Sequence, residues 1–412
     1  MPLLTGRQLK RIFDFFSPFY NDGRLKPEAE RVTILASNAN TPFEVQARAF
    51  AMAAASGRQS PMIVQLSHNA LLLAGSETKS IKPPEGVKRR ESLAVVDGAR
   101  LAAGLIQTYV ELYGAQLVAI SLDHFKVPGY SETDYAQGAM QGDATERRLA
   151  EAKVLAAVEA MRPVFGSEAE PDEKTLKGYV NYLCGAAYTQ FKKEFLLTVE
   201  AVRPAWGMID TEKLPPLLDF VVTRDVSDAV RKEIGNEDMI IEAEFGATGQ
   251  SGKAVAYEPI RGKELEEFAR RVAAFIKYTG AEGIAYPIGM EHAAKLGEKH
   301  EPDMERLEVV QRAILLEAGR YAPFAQHGGT GAASVARGLV GKNNINTRYL
   351  VAGANALADH VEARRDAIRA GEKDACGAKI FTAMTDAVVE AVMEKLRETG
   401  SFQKGEVLLP LV

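Results

Sequence analysis

Short apolar runs rich in β-branched residues recur along this chain, each followed by polar residues and then by a stretch of helical period. Residues 32–37 (VTILAS), 61–66 (PMIVQL), 116–122 (QLVAISL), 205–209 (AWGMI), 239–245 (MIIEAEF), 283–289 (GIAYPIG) and 322–326 (APFAQ) are of this kind, and an eighth short run precedes Asn344. Runs this short and this apolar, bounded by turn residues, predict buried strands and not surface helices. Helices are expected at 91–113, stopped by Gly114, at 263–279, stopped by Gly280, and at 303–318. Thr41-Pro-Phe-Glu44 has the form of a capping box, with proline at the first helical position, opening a helix that runs to Gly57. A further helix is expected from about Ala332, behind three glycines.

Eight strands, most followed by a helix, predict a (β/α)8 TIM barrel, read here as a single domain over residues 1–412. An open doubly wound sheet is the alternative, and the lack of GxGxxG after the first strand counts against it. Residues 1–30 form a helical preface. The strand–helix rhythm stalls over about 128–204, where ERRLAEAKVLAAVEAM and TLKGYVNYLCGAAYTQFKKEFLLTVEAV predict a helical insertion after strand three. Its apolar spacing demands a surface to cover. It is expected to pack on a neighbouring subunit and to bring 125–145 near the pocket, with Glu132, Asp134, Asp143 and Glu146 as acids able to reach in.

The chemistry of such a barrel gathers at the carboxyl ends of its strands. Asp123 and His124 end strand three, His292 follows strand six and His327 ends strand seven, so half of the chain's six histidines fall on one expected face. Three imidazoles with an open fourth position can hold a catalytic zinc ion. Glu242 and Glu244, two apart on a strand, are expected to point together into the barrel mouth. Gly328, Gly329, Thr330 and Gly331 offer backbone N–H groups to an anion, and Asn344, Asn346 and Thr347 form a second polar turn. Together they point to a small phosphorylated substrate. Ser67 suits the same pocket better than its neighbour His68; His300 and His360 receive no role.

Composition narrows the class. A chain of 412 residues with 46% apolar content buries a large core. A net charge of −5 leaves no electrostatic footprint for nucleic acid, and no eighteen-residue apolar run spans a membrane. The N-terminal MPLLTGRQLKRIFDFFSPFY lacks the form of a signal peptide. Cys184 and Cys376 are too few for a disulfide framework and are expected as core thiols. A cytoplasmic enzyme acting on a small molecule is the expectation.

The motifs, taken in order, resemble those of a known family. ISLDHF (120–125), IIEAEFG (240–246), His292, HGGTG (327–331) and KNNINT (342–347) are similar to the ordered motifs of the class II, zinc-dependent fructose-bisphosphate and other ketose-bisphosphate aldolases. Asn38, Ser67, WGMID (206–210) and LRETGSFQK (396–404) fit the same order. The resemblance implies that His124, His292 and His327 hold Zn²⁺ or a similar divalent ion, with Glu244 as an alternative ligand. It implies that Asp123 moves a proton on and off the C4 hydroxyl of the ketose. Gly328, Gly329, Thr330, Asn344, Asn346 and Thr347 would hold the phosphate of a dihydroxyacetone-phosphate half, with Asn38 and Ser67 lining the pocket. It further implies a monovalent cation held by carbonyls near the HGG turn and a place in carbohydrate metabolism such as glycolysis; a homo-oligomer (dimer or tetramer) is expected because symmetric assembly is common in soluble enzymes.

Departures from the pattern matter as much. The family's loop after the EAELG-like strand carries an acid that deprotonates the substrate; here residues 247–257 (ATGQSGKAVAY) contain no carboxylate. Arg348 follows NINT where relatives often have Asp. Three readings stand: a metal-dependent aldolase, a metal-dependent sugar-phosphate epimerase or isomerase using the same enediolate, and a non-catalytic barrel that lost its base.

Overall fold

The expected strands form, and they close on themselves. The computed structural model describes residues 3–40, 42–75, 93–246, 257–290, 300–332 and 334–412. In it β1 (Ile34–Ala39), β2 (Met62–Ser67), β3 (Val118–Lys126), β4 (Trp206–Asp210), β5 (Ile240–Glu244), β6 (Gly283–Ala285), β7 (Phe324–Gln326) and β8 (Val340–Ile345) pair in parallel, in sequence order, into a closed barrel. Strands so enclosed are buried on both faces, which is why they read as continuous apolar runs and not as alternating ones.

One core lies between the strands and the outer helices; a second fills the barrel's amino-terminal end. There the helix Gly6–Phe15 acts as a plug. Its Leu9, Ile12 and Phe13 pack against Ile34, Ile63, Ala119, Trp206 and Ile240, and the Phe13 ring lies 5.3 Å from that of Trp206. Because successive inward residues along a strand are two apart, the barrel interior turns polar higher up. Ile240 gives way to Glu242 and then Glu244, Ala36 to Asn38, and Ala325 to His327.

Between β3 and β4 the chain forms the helices Glu132–Tyr135, Ala144–Phe165, Glu173–Cys184 and Ala186–Val202. Their apolar faces cover the barrel's own outer helices. Phe165 meets Phe220 at 5.8 Å, and Phe195 meets Phe125 of β3 at 5.2 Å. Of the four acids expected to reach inward, Glu132 and Asp134 are exposed, and Glu132 pairs with Lys174. Asp143 and Glu146 form the capping box of the helix Ala144–Phe165. All four are exposed.

Other expectations fail for identifiable reasons. No helix starts at Ala332: Gly329–Gly331 is one 3-10 turn, and residues 334–339, just before β8, are irregular. Their polar groups are satisfied by neighbours instead. Gly338 N–H donates to the Thr33 hydroxyl at 3.1 Å, and the Arg337 guanidinium donates to the Glu398 carbonyl at 2.8 Å. Residues 328–331 therefore offer an anion no helix start. β3 extends to Lys126 and takes Asp123 and His124 into the strand, and Asn344 lies inside β8. The helix after β1 begins at Phe43 behind Pro42; Thr41, and with it the capping box, lies outside the described residues. Cys376 is exposed and Cys184 half-buried, so neither is a core thiol.

Candidate active site

Asp123 and His124 are adjacent in sequence, and in a regular strand they would point to opposite faces. They do not, because the β3–β4 register shifts between Leu122 and Phe125 and His124 takes a left-handed backbone conformation, φ +49°. Such a bulge re-aims a side chain. Asp123 consequently turns inward, its Oδ2 accepting from Asn38 Nδ2 at 2.8 Å, while His124 leans over β4, its Nδ1 lying 3.1 Å from Asp210 Oδ2. The His124 ring comes to 4.7 Å, centroid to centroid, from that of His327.

His327 is buried, and its Nε2 lies 3.1 Å from Glu242 Oε1. The other Glu242 oxygen accepts from Lys342 Nζ at 2.8 Å and from Trp206 Nε1 at 2.5 Å. Glu242 and Lys342 are both completely buried. Burial works against the Glu242 charge, yet Lys342 and then His327 overcome it and hold the carboxyl well below the usual range. On the other wall, burial also opposes the charge of Asp210. The His124 hydrogen bond and charge, with a hydrogen bond from Glu244, bring it down to about 2. The two imidazoles diverge. Burial would lower His124, but the Asp123 and Asp210 carboxylates outweigh it and raise its pKa; burial lowers that of His327, and His124 adds to the effect.

Each imidazole thus has one nitrogen held by a carboxylate, the outer-shell arrangement that metal-binding histidines take. His124 and His327 are the two imidazoles here that could hold a metal, and imidazole nitrogen suits zinc. Two of the three expected ligands are brought together; His292 lies outside the described residues. Among the described residues, no group of three or more His, Cys, Asp or Glu side chains is arranged to hold a metal. Glu244 is buried and reaches Asp210.

The remaining expected groups ring the same end of the barrel. Asn38 is fully engaged, since its Oδ1 accepts from Gln65 Nε2 at 2.7 Å while its Nδ2 holds Asp123. Ser67 lies level with Asp123 on the neighbouring strand, its Oγ accepting from Ala70 N–H at 3.4 Å. Gly328 takes a left-handed conformation, φ +68°. Gly329 is pressed so tightly on β8 that a Cβ there would stand 2.2 Å from Asn343 Oδ1 and 2.7 Å from the Asn344 carbonyl. The glycine turn, including Thr330, and the asparagine strand end are therefore one surface. Asn344 Oδ1 is buried without a hydrogen-bond partner among the described residues. Asn346 and Thr347 open the helix Thr347–Ala363, with Asn346 Oδ1 accepting from Asn40 Nδ2 at 2.8 Å.

Sequence reasoning missed Asp210, Lys342 and Gln65. Asp210 ends a strand as Asp123 nearly does, which was a usable signal. Nothing local marks Lys342 as buried. It also missed Asp219, in the helix Pro216–Lys232, which accepts from the Thr211 and Thr223 hydroxyls at 2.7 and 3.1 Å beneath this wall. Burial lifts Asp219 to about 8, the two threonines opposing. Between the ordinary carboxylate value and about 8 the unfolded chain is ionised there and the folded one protonated, so stability falls as pH rises, by roughly 1.4 kcal/mol per pH unit at most. Asp219→Asn is accordingly expected to raise the melting temperature at pH 8 and to leave it nearly unchanged near pH 4.5. A variant no more stable than the parent at pH 8 would remove Asp219 as a source of pH sensitivity.

Comparison with known proteins adds independent findings. Residues 207–404 match the family model described as fructose-bisphosphate aldolase class-II. The family resemblance carried by the motifs is borne out over that stretch. No curated protein matches by sequence. Among solved structures, a crystal structure of fructose-bisphosphate aldolase from Campylobacter jejuni aligns over 98% of this chain and 97% of its own at 14% identity, with a TM-score of 0.55. At that identity the likeness speaks for the fold. A protein from Coccidioides immitis assigned as a fructose-1,6-bisphosphate aldolase aligns over 92% and 95% at 15% identity, with a TM-score of 0.47.

Proposed function

Since residues 207–404 carry the sequence pattern of the class-II fructose-bisphosphate aldolases, on a closed (β/α)8 barrel, we propose that the protein is a metal-dependent aldolase making or breaking a carbon–carbon bond in a phosphorylated ketose. The observation that carries this reading is the convergence of Asp123, His124 and His327 at the carboxyl end of the barrel, each imidazole held by a carboxylate. His124 and His327, with His292, would hold the metal, and Glu244 is the alternative ligand. A divalent ion there supplies Lewis acidity at the ketone oxygen.

The chain's own groups do the rest. Asp123 is fixed through one oxygen by Asn38, and its Oδ1, buried and without a hydrogen-bond partner among the described residues, takes the C4 hydroxyl proton. Asn38, itself fixed by Gln65, acts as a positioning residue. Phosphate is received by the glycine turn at Gly328, Gly329 and Thr330 and by Asn344, Asn346 and Thr347. The start of the helix Thr347–Ala363 adds its dipole. Ser67 lines the same pocket.

The test is chelation. Zinc-loaded protein is expected to release a triose phosphate from a panel of ketose phosphates, to lose that activity in EDTA and to recover it when zinc is returned. Cleavage that survives EDTA would end the metal assignment; no cleavage of any ketose phosphate by zinc-loaded protein would end the aldolase reading.

A further inference from the structure

An aldol donor must also lose a proton from carbon, and Asp123, assigned to the hydroxyl, does not account for that step. A carboxylate with an oxygen to spare is required near the barrel mouth. Most carboxylates there are committed. Asp210 is taken by His124, Glu242 by Lys342, Trp206 and His327, and Asp219 by two threonines, while Glu244, bonded to Asp210, is already assigned as the alternative metal ligand. Residues 247–257 contribute none.

Among the described carboxylates not yet given a role, Glu212 has such an oxygen. It lies in the loop just past β4, two residues beyond Asp210, with its backbone N–H 3.4 Å from Asp210 Oδ1. Thr211 between them is pinned, its hydroxyl donating to Asp219 at 2.7 Å and lying 3.3 Å from the Glu244 carbonyl, so the loop is anchored at the residue before Glu212. The side chain is half-buried, and its Oε1 is shut off from solvent with no hydrogen-bond partner among the described residues. A carboxylate oxygen desolvated and left without a donor is costly unless something arrives to use it. We propose that Glu212 is the catalytic base of this barrel at carbon, an inference that rests on the aldolase reading.

The step balances simply. The Glu212 carboxylate takes a proton from the hydroxymethyl carbon beside the ketone of dihydroxyacetone phosphate. The C–H electron pair becomes the C=C bond of the enediolate, and the carbonyl π pair moves onto the ketone oxygen. In the cleavage direction the protonated Glu212 returns a proton to that carbon after the aldehyde has left. The surroundings suit a base at carbon. Burial and then Asp210 push the Glu212 pKa upward, against Lys126, His124 and Lys213, which makes it a stronger base than an ordinary glutamate.

The experiment follows exchange of the carbon-bound proton of dihydroxyacetone phosphate in D2O by proton NMR, with zinc-supplemented protein and no aldehyde present. Wild type is expected to exchange; Glu212→Gln, of equal size, to slow exchange by ~100-fold or more; and Glu212→Asp, withdrawn by one methylene, by about ten-fold. Zinc content and circular dichroism establish that each variant is folded and loaded, and Glu212→Asp carries the test if the Gln variant does not fold. Exchange by wild type with both variants at its rate would overturn the Glu212 assignment and leave the aldolase reading standing. Wild type that neither exchanges nor cleaves would overturn both.

Discussion

Lys342→Met is expected to destabilise the protein by about 3–5 kcal/mol, the cost typical of removing one partner from a buried ion pair. Lys342 and Glu242 are both wholly buried, 2.8 Å apart, with the ammonium also 5.1 Å from the Trp206 ring centroid. Without the lysine, Glu242 keeps only its bonds to Trp206 and His327. The pH dependence then changes sign. In the native chain the Glu242 carboxyl is held low, so its contribution is present above the ordinary glutamate value and is lost only as pH falls through the depressed one. In the variant burial is no longer overcome by Lys342, the carboxyl titrates above its ordinary value, and stability is lost as pH rises. Urea unfolding at pH 5 and pH 8 reads this directly: the variant should be the more stable at pH 5. Glu242→Gln added to Lys342→Met should recover most of the loss, since it removes the stranded charge. A single variant within about 1 kcal/mol of wild type at pH 8 would show that the pair is not what holds this layer together.

The same layer shows what the sequence could and could not reveal. The barrel was legible because a strand enclosed on both faces must be apolar along its length, and runs such as MIIEAEF and VTILAS have few other uses. The polar residues that end those runs marked the active end, and Asp123, His124, His327, Glu242 and Glu244 do gather there. The bulge that lets Asp123 and His124 serve one site was not legible. It needs no glycine or proline, only a histidine at φ +49° between two register positions. Lys342 was equally hidden: a lysine before two asparagines reads as surface, and only its position across the barrel from Glu242 makes it interior. The glycine turn misled in the opposite direction. Glycines behind a strand suggest a helix start, but here Gly329 serves close approach to β8. The chain beyond it, at Arg337 and Gly338, is held by Thr33 and Glu398, residues distant in sequence.

Asp123→Asn is expected to lower turnover on a cleavable ketose phosphate by ~10²–10⁴-fold while leaving fold and metal content intact. The substitution preserves size, and Asn38 Nδ2, itself fixed by Gln65, can donate to the amide oxygen as it does to the carboxylate at 2.8 Å. What is lost is a proton acceptor at the position of Oδ1, which takes no hydrogen bond among the described residues. The C4 hydroxyl then has no base when the carbon–carbon bond breaks, and its aldehyde no acid when the bond forms. Proton exchange at the donor carbon belongs to a different group and should persist in this variant, close to the wild-type rate. The two measurements therefore separate two roles: cleavage lost with exchange kept places Asp123 at oxygen, whereas loss of both places it at carbon. Turnover unchanged by Asp123→Asn would return the residue to a structural role, as the partner that holds Asn38 in place.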